Sequence, residues 1–301
     1  MLALTAGRYR FAAASMGGIS PDDLDSVGRS LARAARDGAG PSLHAAALLI
    51  TDSMLGDLQQ FIQGVNRVTG AKVALVGEAA GDEQKFVESS VFHDDRVLHK
   101  GALVLWIASE WPLRVITRHG WKPVGAPLLV TRAEGTQILE LGGRPAAAAY
   151  EDELGLTEPL AMEAFWPTSI LHPFGLTQPN GTHVIRVARS KDALGKLNIQ
   201  GCVPAVGSVV QVMSGSPDTL LDIVDEVVAA ALDEQSAASV LLTFSCAARA
   251  TILGDRAPEE ASRLQEAAGA VPTFGFYCCA EFARTSGVLA THNATLTALA
   301  L

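Results

Sequence analysis

The side chains best suited to chemistry lie late in the chain. Cys246 and Arg249 follow the apolar run Val240-Leu241-Leu242-Thr243-Phe244-Ser245, the position past a buried strand where α/β folds place ligand groups. A cysteine there is either a small core hydrophobe or a thiol facing a ligand. The guanidinium of Arg249 either pairs with a structural acid, with Glu281 the obvious choice, or grips a ligand carboxylate in bidentate fashion. With Arg249 on a carboxylate and Glu281 on an amino group, the two would form an amino-acid site; the alternative is an Arg–Glu bridge between loops. His292 and Asn293 precede a final strand expected over residues 294–301, where an Asn also serves to bond a turn backbone. Gly275 and Tyr277 before Glu281, and Gly77 and Glu83 earlier in the chain, complete the expected ligand-binding set.

Cys246, His292 and Glu281 are also the types of a cysteine nucleophile, a base and an orienting acid. No GxSxG elbow, Walker A lysine, GxGxxG after a strand or HExxH supports an enzyme, and none is expected. The seven histidines include no HxxxH pair, and the four cysteines (Cys202, Cys246, Cys278, Cys279) no CxxC or CxxCH. Neither a zinc site, a disulfide framework nor covalent haem attachment follows from them, and reduced thiols are expected.

The elements that must position these residues repeat. Ser20-Pro21-Asp22-Asp23-Leu24 has a capping Ser, a first-turn Pro and acids at the positive helix end, with Leu24, Val27, Leu31 and Ala34 on one face. Ser216-Pro217-Asp218-Thr219-Leu220 opens a second helix in the same way, striped by Leu220, Ile223, Val224, Val227, Val228 and Ala231. A short apolar strand follows each, Ala47 to Ser53 and Val240 to Cys246. Then come a helix and a second strand, Val73-Ala74-Leu75-Val76-Gly77 and Val271-Pro272-Thr273-Phe274-Gly275. Glu83 and Glu281 lie at equal distances beyond the two glycines. Four matches in one order, offset by about 195 residues, argue for a duplicated helix–strand–helix–strand unit. The first copy is expected to carry extra strands and turns over roughly residues 103–200, with a helix around Ala146 to Leu154.

The chain has 301 residues, 49% of them hydrophobic, 18% charged and 6% aromatic, which describes a folded globular protein with an interior of Ala, Val and Leu. Its net charge of −9, without a basic stripe, argues against nucleic acid. The apolar runs are too short to span a membrane, and the N-terminus lacks the order of a secretory signal, so a cytoplasmic location is expected.

The same residues resemble the FIST family, a sensory module of N-terminal and C-terminal halves found in bacterial signalling proteins and in one class of F-box proteins. In the first half the resemblance rests on Gly120-Trp121-Lys122-Pro123-Val124-Gly125, Val130-Thr131-Arg132-Ala133-Glu134-Gly135 and Ile138 through Ala146. In the second it rests on Phe244-Ser245-Cys246-Ala247-Ala248-Arg249, Gly275-Phe276-Tyr277 leading to Glu281, and His292-Asn293-Ala294-Thr295-Leu296-Thr297. The chain departs from the family at Ala280, where many members have Gly, and at Gly77-Glu78-Ala79-Ala80-Gly81-Asp82-Glu83, where the family is Gly-rich. Both positions bear on which ligand approaches the backbone.

The resemblance implies a cytoplasmic sensor of small molecules such as amino acids, with haem-based gas sensing, a protein-interaction scaffold and a cysteine-dependent enzyme as alternatives. It implies an α/β (α+β) fold of two pseudo-repeated halves, residues 1–165 and 166–301, whose mixed sheets are layered against each other with helices outside. A small-molecule ligand and a separate signalling output protein are the expected partners, and no nucleic acid or membrane span is expected.

Overall fold

The computed structural model describes residues 9–83, 85, 87–233, 238–284 and 290–301. The first unit runs β1 (Tyr9–Met16), α1 (Leu24–Ala39), β2 (His44–Asp52), α2 (Leu58–Thr69) and β3 (Ala74–Ala80), then the hairpin β4 (Ser90–His93) and β5 (Arg96–His99), then β6 (Ala102–Ser109). β7 (Arg114–Arg118) leads into a middle body of β8 (Lys122–Pro123), β9 (Leu128–Glu134), β10 (Gln137–Leu141), β11 (Arg144–Pro145), α3 (Ala146–Glu153) and α4 (Met162–Leu171). That body continues with β12 (Phe174–Thr177), β13 (His183–Arg186), β14 (Ala188–Lys191), β15 (Leu197–Ile199) and β16 (Val209–Ser214). The chain then forms α5 (Pro217–Leu232), β17 (Leu241–Cys246), α6 (Ala247–Leu253), α7 (Ala257–Ala268) and β18 (Thr273–Cys278). It ends with β19 (Ala280–Ala283), β20 (Thr291–His292) and β21 (Leu296–Ala300).

The two expected helix starts form as their residues dictate. Ser20 accepts from the Asp22 N–H at the head of a short turn that runs into α1. At α5, Ser216 Oγ accepts from Thr219 N at 3.2 Å while Thr219 Oγ1 accepts from Ser216 N at 2.9 Å, a reciprocal cap. Gly269 in the left-handed region stops α7.

The duplication is visible in the sheets. One sheet has the order β1-β6-β2-β3-β19-β20 and another β7-β21-β17-β18. β2 and β3 are parallel, as are β17 and β18, and β6 and β21 lie antiparallel to β2 and β17. Strand for strand, β1, β6, β2 and β3 correspond to β7, β21, β17 and β18. Alternate residues of β2 face opposite ways: Ala45, Ala47 and Leu49 pack under α1 and α2, and Ala46 and Leu48 pack against Leu242, Phe244 and Leu299 of the other sheet. Burial on both faces is why these strands read as unbroken apolar runs. The result is helix, sheet, sheet, helix, with α5 and α7 covering the second sheet, as the duplicated pattern implies.

The extra chain lies elsewhere than expected. Val115, Ile116 and Thr117 belong to β7, which pairs with β21 as the first strand of the second unit. The additional residues, 119–216, therefore interrupt the second unit rather than follow the first. They form a nine-stranded sheet, β13-β12-β16-β9-β10-β15-β14 with β11 and β8 at its sides, over its own core of Val130, Ile138, Tyr150, Phe165 and Phe174. The boundary expected at 165/166 falls inside α4 of this body. A five-residue strand carries no local mark of the sheet it will join.

The two α/β units also exchange strands. From β18 in the second sheet the chain passes through Cys279 into the first sheet as β19, which pairs with β3. After β20 it returns through Asn293, Ala294 and Thr295 to β21 in the second sheet.

Candidate functional site

These two crossings bring late-chain residues together. Glu281 on β19 points between the sheets, opposite Glu78 on β3. Its Oε2 accepts from Thr295 N at 3.1 Å and Thr295 Oγ1 at 2.7 Å, and its Oε1 from Cys278 Sγ at 3.4 Å. Burial pushes the Glu281 carboxyl up to about 7, with those donors holding it back. Burial and then the neighbouring Glu281 push Glu78 up to about 8. Facing acids without a cation keep protons that exposed acids lose.

The turn 292–295 separates two cavities. On one side is a cleft of about 710 Å³ between the middle body and α5. Its buried and half-buried lining includes Trp121, His119, His292 and Thr295; its exposed lining includes Arg118, Lys122, Glu226 and Asp222, the last 3.7 Å from Arg263. Trp121 is anchored: its Nε1–H donates to Ala294 O at 2.9 Å, and its ring lies where a side chain on Gly215 would be. His119 Nδ1 accepts from Trp121 N at 3.0 Å, and His292 Nε2 donates to Ala283 O at 2.9 Å. Burial lowers both histidines to about 4, so both imidazoles are neutral at physiological pH.

On the other side is a cavity of about 40 Å³ lined by Cys246, Cys279, Asn293, Gln200, Asp82 and Trp166, among others. Cys246 Sγ donates to Cys279 O at 3.8 Å and Gln200 Nε2 to Cys279 Sγ at 3.4 Å. Burial raises the Cys246 thiol well above its ordinary value and Cys279 to about 11.

Of the expected residues, the structure brings Cys246 and Asn293 to the small cavity and His292 to the cleft. Arg249 is corrected: it is fully buried and pairs with Glu260, not Glu281, with Nε at 2.9 Å from Glu260 Oε2 and Nη2 at 2.8 Å from Leu220 O. Ser245 Oγ donates to the other Glu260 oxygen at 2.5 Å. This pair joins α6 to α7 under α5 and lines neither cavity. Glu83 is not the counterpart of Glu281: it is exposed beyond β3 and pairs with Lys85 at 2.7 Å. Gly77 and Gly275 are equivalent, facing Leu49 and Thr243 on the neighbouring strands. A Cβ on Gly77 would lie 1.9 Å from Leu49 O, and one on Gly275 2.0 Å from Thr243 Oγ1. They allow close strand approach and line neither cavity. Tyr277 sits on the edge strand β18 and donates to Ala257 O at 3.3 Å.

Sequence reasoning missed Glu78, Gln200, Trp166 and His119, and the charged cleft residues Arg118, Lys122, Asp222 and Glu226. Only Glu78 left a signal, an acid inside the apolar run Ala74–Ala80. Among the described residues no group of three or more His, Cys, Asp or Glu is placed to hold a metal ion, and no helix is long and apolar enough to cross a membrane. A haem needs apolar walls on both faces, whereas the cleft offers only Trp121, Val184 and Ile223 among polar and charged side chains. Its residues do not fit that group.

Two family models match the chain, the FIST N domain over residues 1–144 and the FIST C domain over residues 146–284. An uncharacterized protein of Mycobacterium bovis is 28% identical over 230 residues, covering 74% of this chain and 58% of the relative. One from Mycobacterium tuberculosis gives the same figures, and a second is 25% identical over 260 residues, covering 84% of this chain and 67% of its own length. The chain thus spans less than two thirds of the length of the first of these relatives.

Proposed function

The chain belongs to the FIST family, and from that premise we propose that it is a cytoplasmic receptor for an amino acid or related zwitterionic metabolite, bound in the cleft and reported to a partner protein. FIST domains are associated with sensing and signal transduction. The observation that carries the ligand class is the cleft itself: it is lined by charges of both signs, Arg118 and Lys122 to meet a carboxylate, and Glu226, with Asp222 already 3.7 Å from Arg263, to meet an ammonium group. Its volume of about 710 Å³ is that of a small-molecule site. His292 and Thr295 connect it to the crossing between the sheets, a route by which occupancy alters the packed layers. The reading is of a receptor without catalysis. In its support, the Cys246 thiol is buried and held protonated, whereas a nucleophilic cysteine must reach its thiolate.

A thermal-shift screen of amino acids against the full chain tests this. A ligand at 100 times its Kd stabilises the folded state by about 2.7 kcal/mol. The double variant Asp222→Asn, Glu226→Gln is expected to weaken a hit at least tenfold by removing the ammonium partners, with Arg118→Gln weakening it through the carboxylate. No shift with any amino acid would move the reading to a protein-interaction scaffold. The exposed Phe274, Phe276 and Tyr277 on the edge strand β18 favour that second reading.

A further inference from the structure

The duplicated units differ at one edge. β3 of the first unit has β2 on one side and takes β19, antiparallel, on the other. Its equivalent β18 has β17 on one side and, among the described residues, no strand on the other. That open edge is aromatic: Phe274, Phe276 and Tyr277 are 37%, 42% and 41% exposed. Open edges are ordinarily blunted by charges, proline, bulges or shortness. The other outer strands of these two sheets follow that rule: β1 carries Arg10, β7 carries Arg114 and Arg118, and β20 is two residues long. β18, Thr-Phe-Gly-Phe-Tyr-Cys, has no charge and no proline and runs beside β17 without a bulge.

What pairs with this edge follows from the parity of the strand. Leu241 N–H donates to Pro272 O at 2.9 Å, so in the parallel ladder Phe274 and Phe276 turn their backbone groups to β17. Thr273, Gly275 and Tyr277 turn theirs outward, where no described residue meets them. An antiparallel partner must match outward residues to outward residues. A second copy of β18 does so about a two-fold axis at Gly275. Gly275 then meets Gly275, and Thr273 meets Tyr277 in both directions, each pair exchanging both bonds. Phe274 of each copy lies opposite Phe276 of the other, in the closer, non-hydrogen-bonded kind of pair that brings aromatic side chains together. Within one chain the rings already form a row, Phe274 against Phe276 at 6.4 Å and Phe276 against Phe244 at 5.5 Å. The pairing continues that row through the axis. Because β18 has no charged side chain, two copies of a chain of net charge −9 meet there without like charges along the strand.

We propose that the chain forms a two-fold dimer through β18, which joins the four-stranded sheets of the two copies edge to edge. The contact is isologous and closed, since the far edge of each joined sheet is β7 with its arginines. β18 is already laddered to β17, so each copy folds alone and the association is reversible. The contact is separate from the cleft, and its outcome leaves the cleft reading as it stands.

The test is sedimentation velocity of the full chain from micromolar to sub-millimolar concentration, with the melting temperature measured alongside. A monomer–dimer equilibrium is expected, with a melting temperature that rises with concentration. Phe274→Lys sets a charge against Phe276 of the second copy and is expected to weaken the dimer at least tenfold, while melting as the wild-type chain does where both are monomers. Cross-linking reads the register: the close pair holds its Cα atoms about 4.5 Å apart, within disulfide reach. An equal mixture of Phe274→Cys and Phe276→Cys chains under mild oxidation is expected to give a disulfide-linked dimer that neither chain gives alone. The proposal is overturned if the wild-type chain stays monomeric at every concentration, which would leave the edge to a strand of another protein. It is also overturned if Phe274→Lys dimerises as tightly as the wild type, or if the mixture gives no more linked dimer than the single variants.

Discussion

At the scale of single residues, the facing acids Glu78 and Glu281 make stability depend on pH. An acid whose value is raised by folding contributes stability that is present in full below its ordinary value near 4.5 and is lost as pH rises through its folded value. With Glu281 at about 7 and Glu78 at about 8, that window runs from about pH 4.5 to about pH 8. The neutral His119 and His292 act oppositely: their values are lowered to about 4, so they lose stability as pH falls through the window from 6.5 to 4. The two effects overlap, and a variant separates them. Glu78→Gln keeps the shape, removes the charge, and is expected to melt increasingly above the wild-type chain as pH rises from 5 toward 8. A melting difference independent of pH would show that Glu78 ionises freely in the fold. Arg249 belongs to another class. Arg249→Ala leaves Glu260 buried without its cation and is expected to destabilise by about 3–5 kcal/mol in urea unfolding. Fully buried and lining neither cavity, it is expected to leave the affinity of the folded protein for a cleft ligand unchanged.

At the scale of elements, the paired glycines test the duplication. Gly77 and Gly275 occupy the same place in the two units, yet their surroundings differ. A new Cβ meets neighbouring backbone at both, Leu49 O at 1.9 Å and Thr243 O at 2.4 Å, but β3 is held between β2 and β19 whereas β18 is an edge strand. An edge strand shifts where a clamped one cannot. Gly77→Ala is therefore expected to cost more than Gly275→Ala, with the first above about 3 kcal/mol, in the range reserved for backbone clashes and strain. Equal costs would mean that β18 is as firmly held as β3. What the sequence made legible was local: caps at Ser20 and Ser216, the helical stripes, the apolar strands and the repeated glycines. Those signals sit within a few residues of the structure they encode. The pairing of Arg249 was not legible, because Glu260 and Glu281 are both acids at loop or helix distance and only packing selects between them. Nor was the exchange at Cys279, since a strand that changes sheets has the same alternation as one that stays.

At the scale of the whole molecule, that exchange decides how the units unfold. Phe282 comes from the second unit yet is fully buried in the first unit's helix-facing core, beside Leu49, Phe61 and Leu75. The sheets also share a core of Leu48, Val76 and Ile107 against Leu242, Phe244 and Leu299. Trp121 and Arg186, the latter donating to Thr291 O at 3.0 Å, tie the middle body to the returning chain. Neither α/β unit can leave its partner without exposing apolar surface and a strand edge, so the two are expected to unfold in one transition. Trp106 on β6 reports on the first unit and Trp121 on the junction with the second, both nearly buried. In variants retaining one of these tryptophans, the urea midpoints should coincide. Phe282→Ala, a cavity on the second unit's own strand, should lower both midpoints together, by an amount corresponding to about 3–5 kcal/mol. If only the Trp106 transition moved, the units would be separate bodies in contact, and the crossings at residues 279 and 293–295 would lose the coupling that links cleft to core.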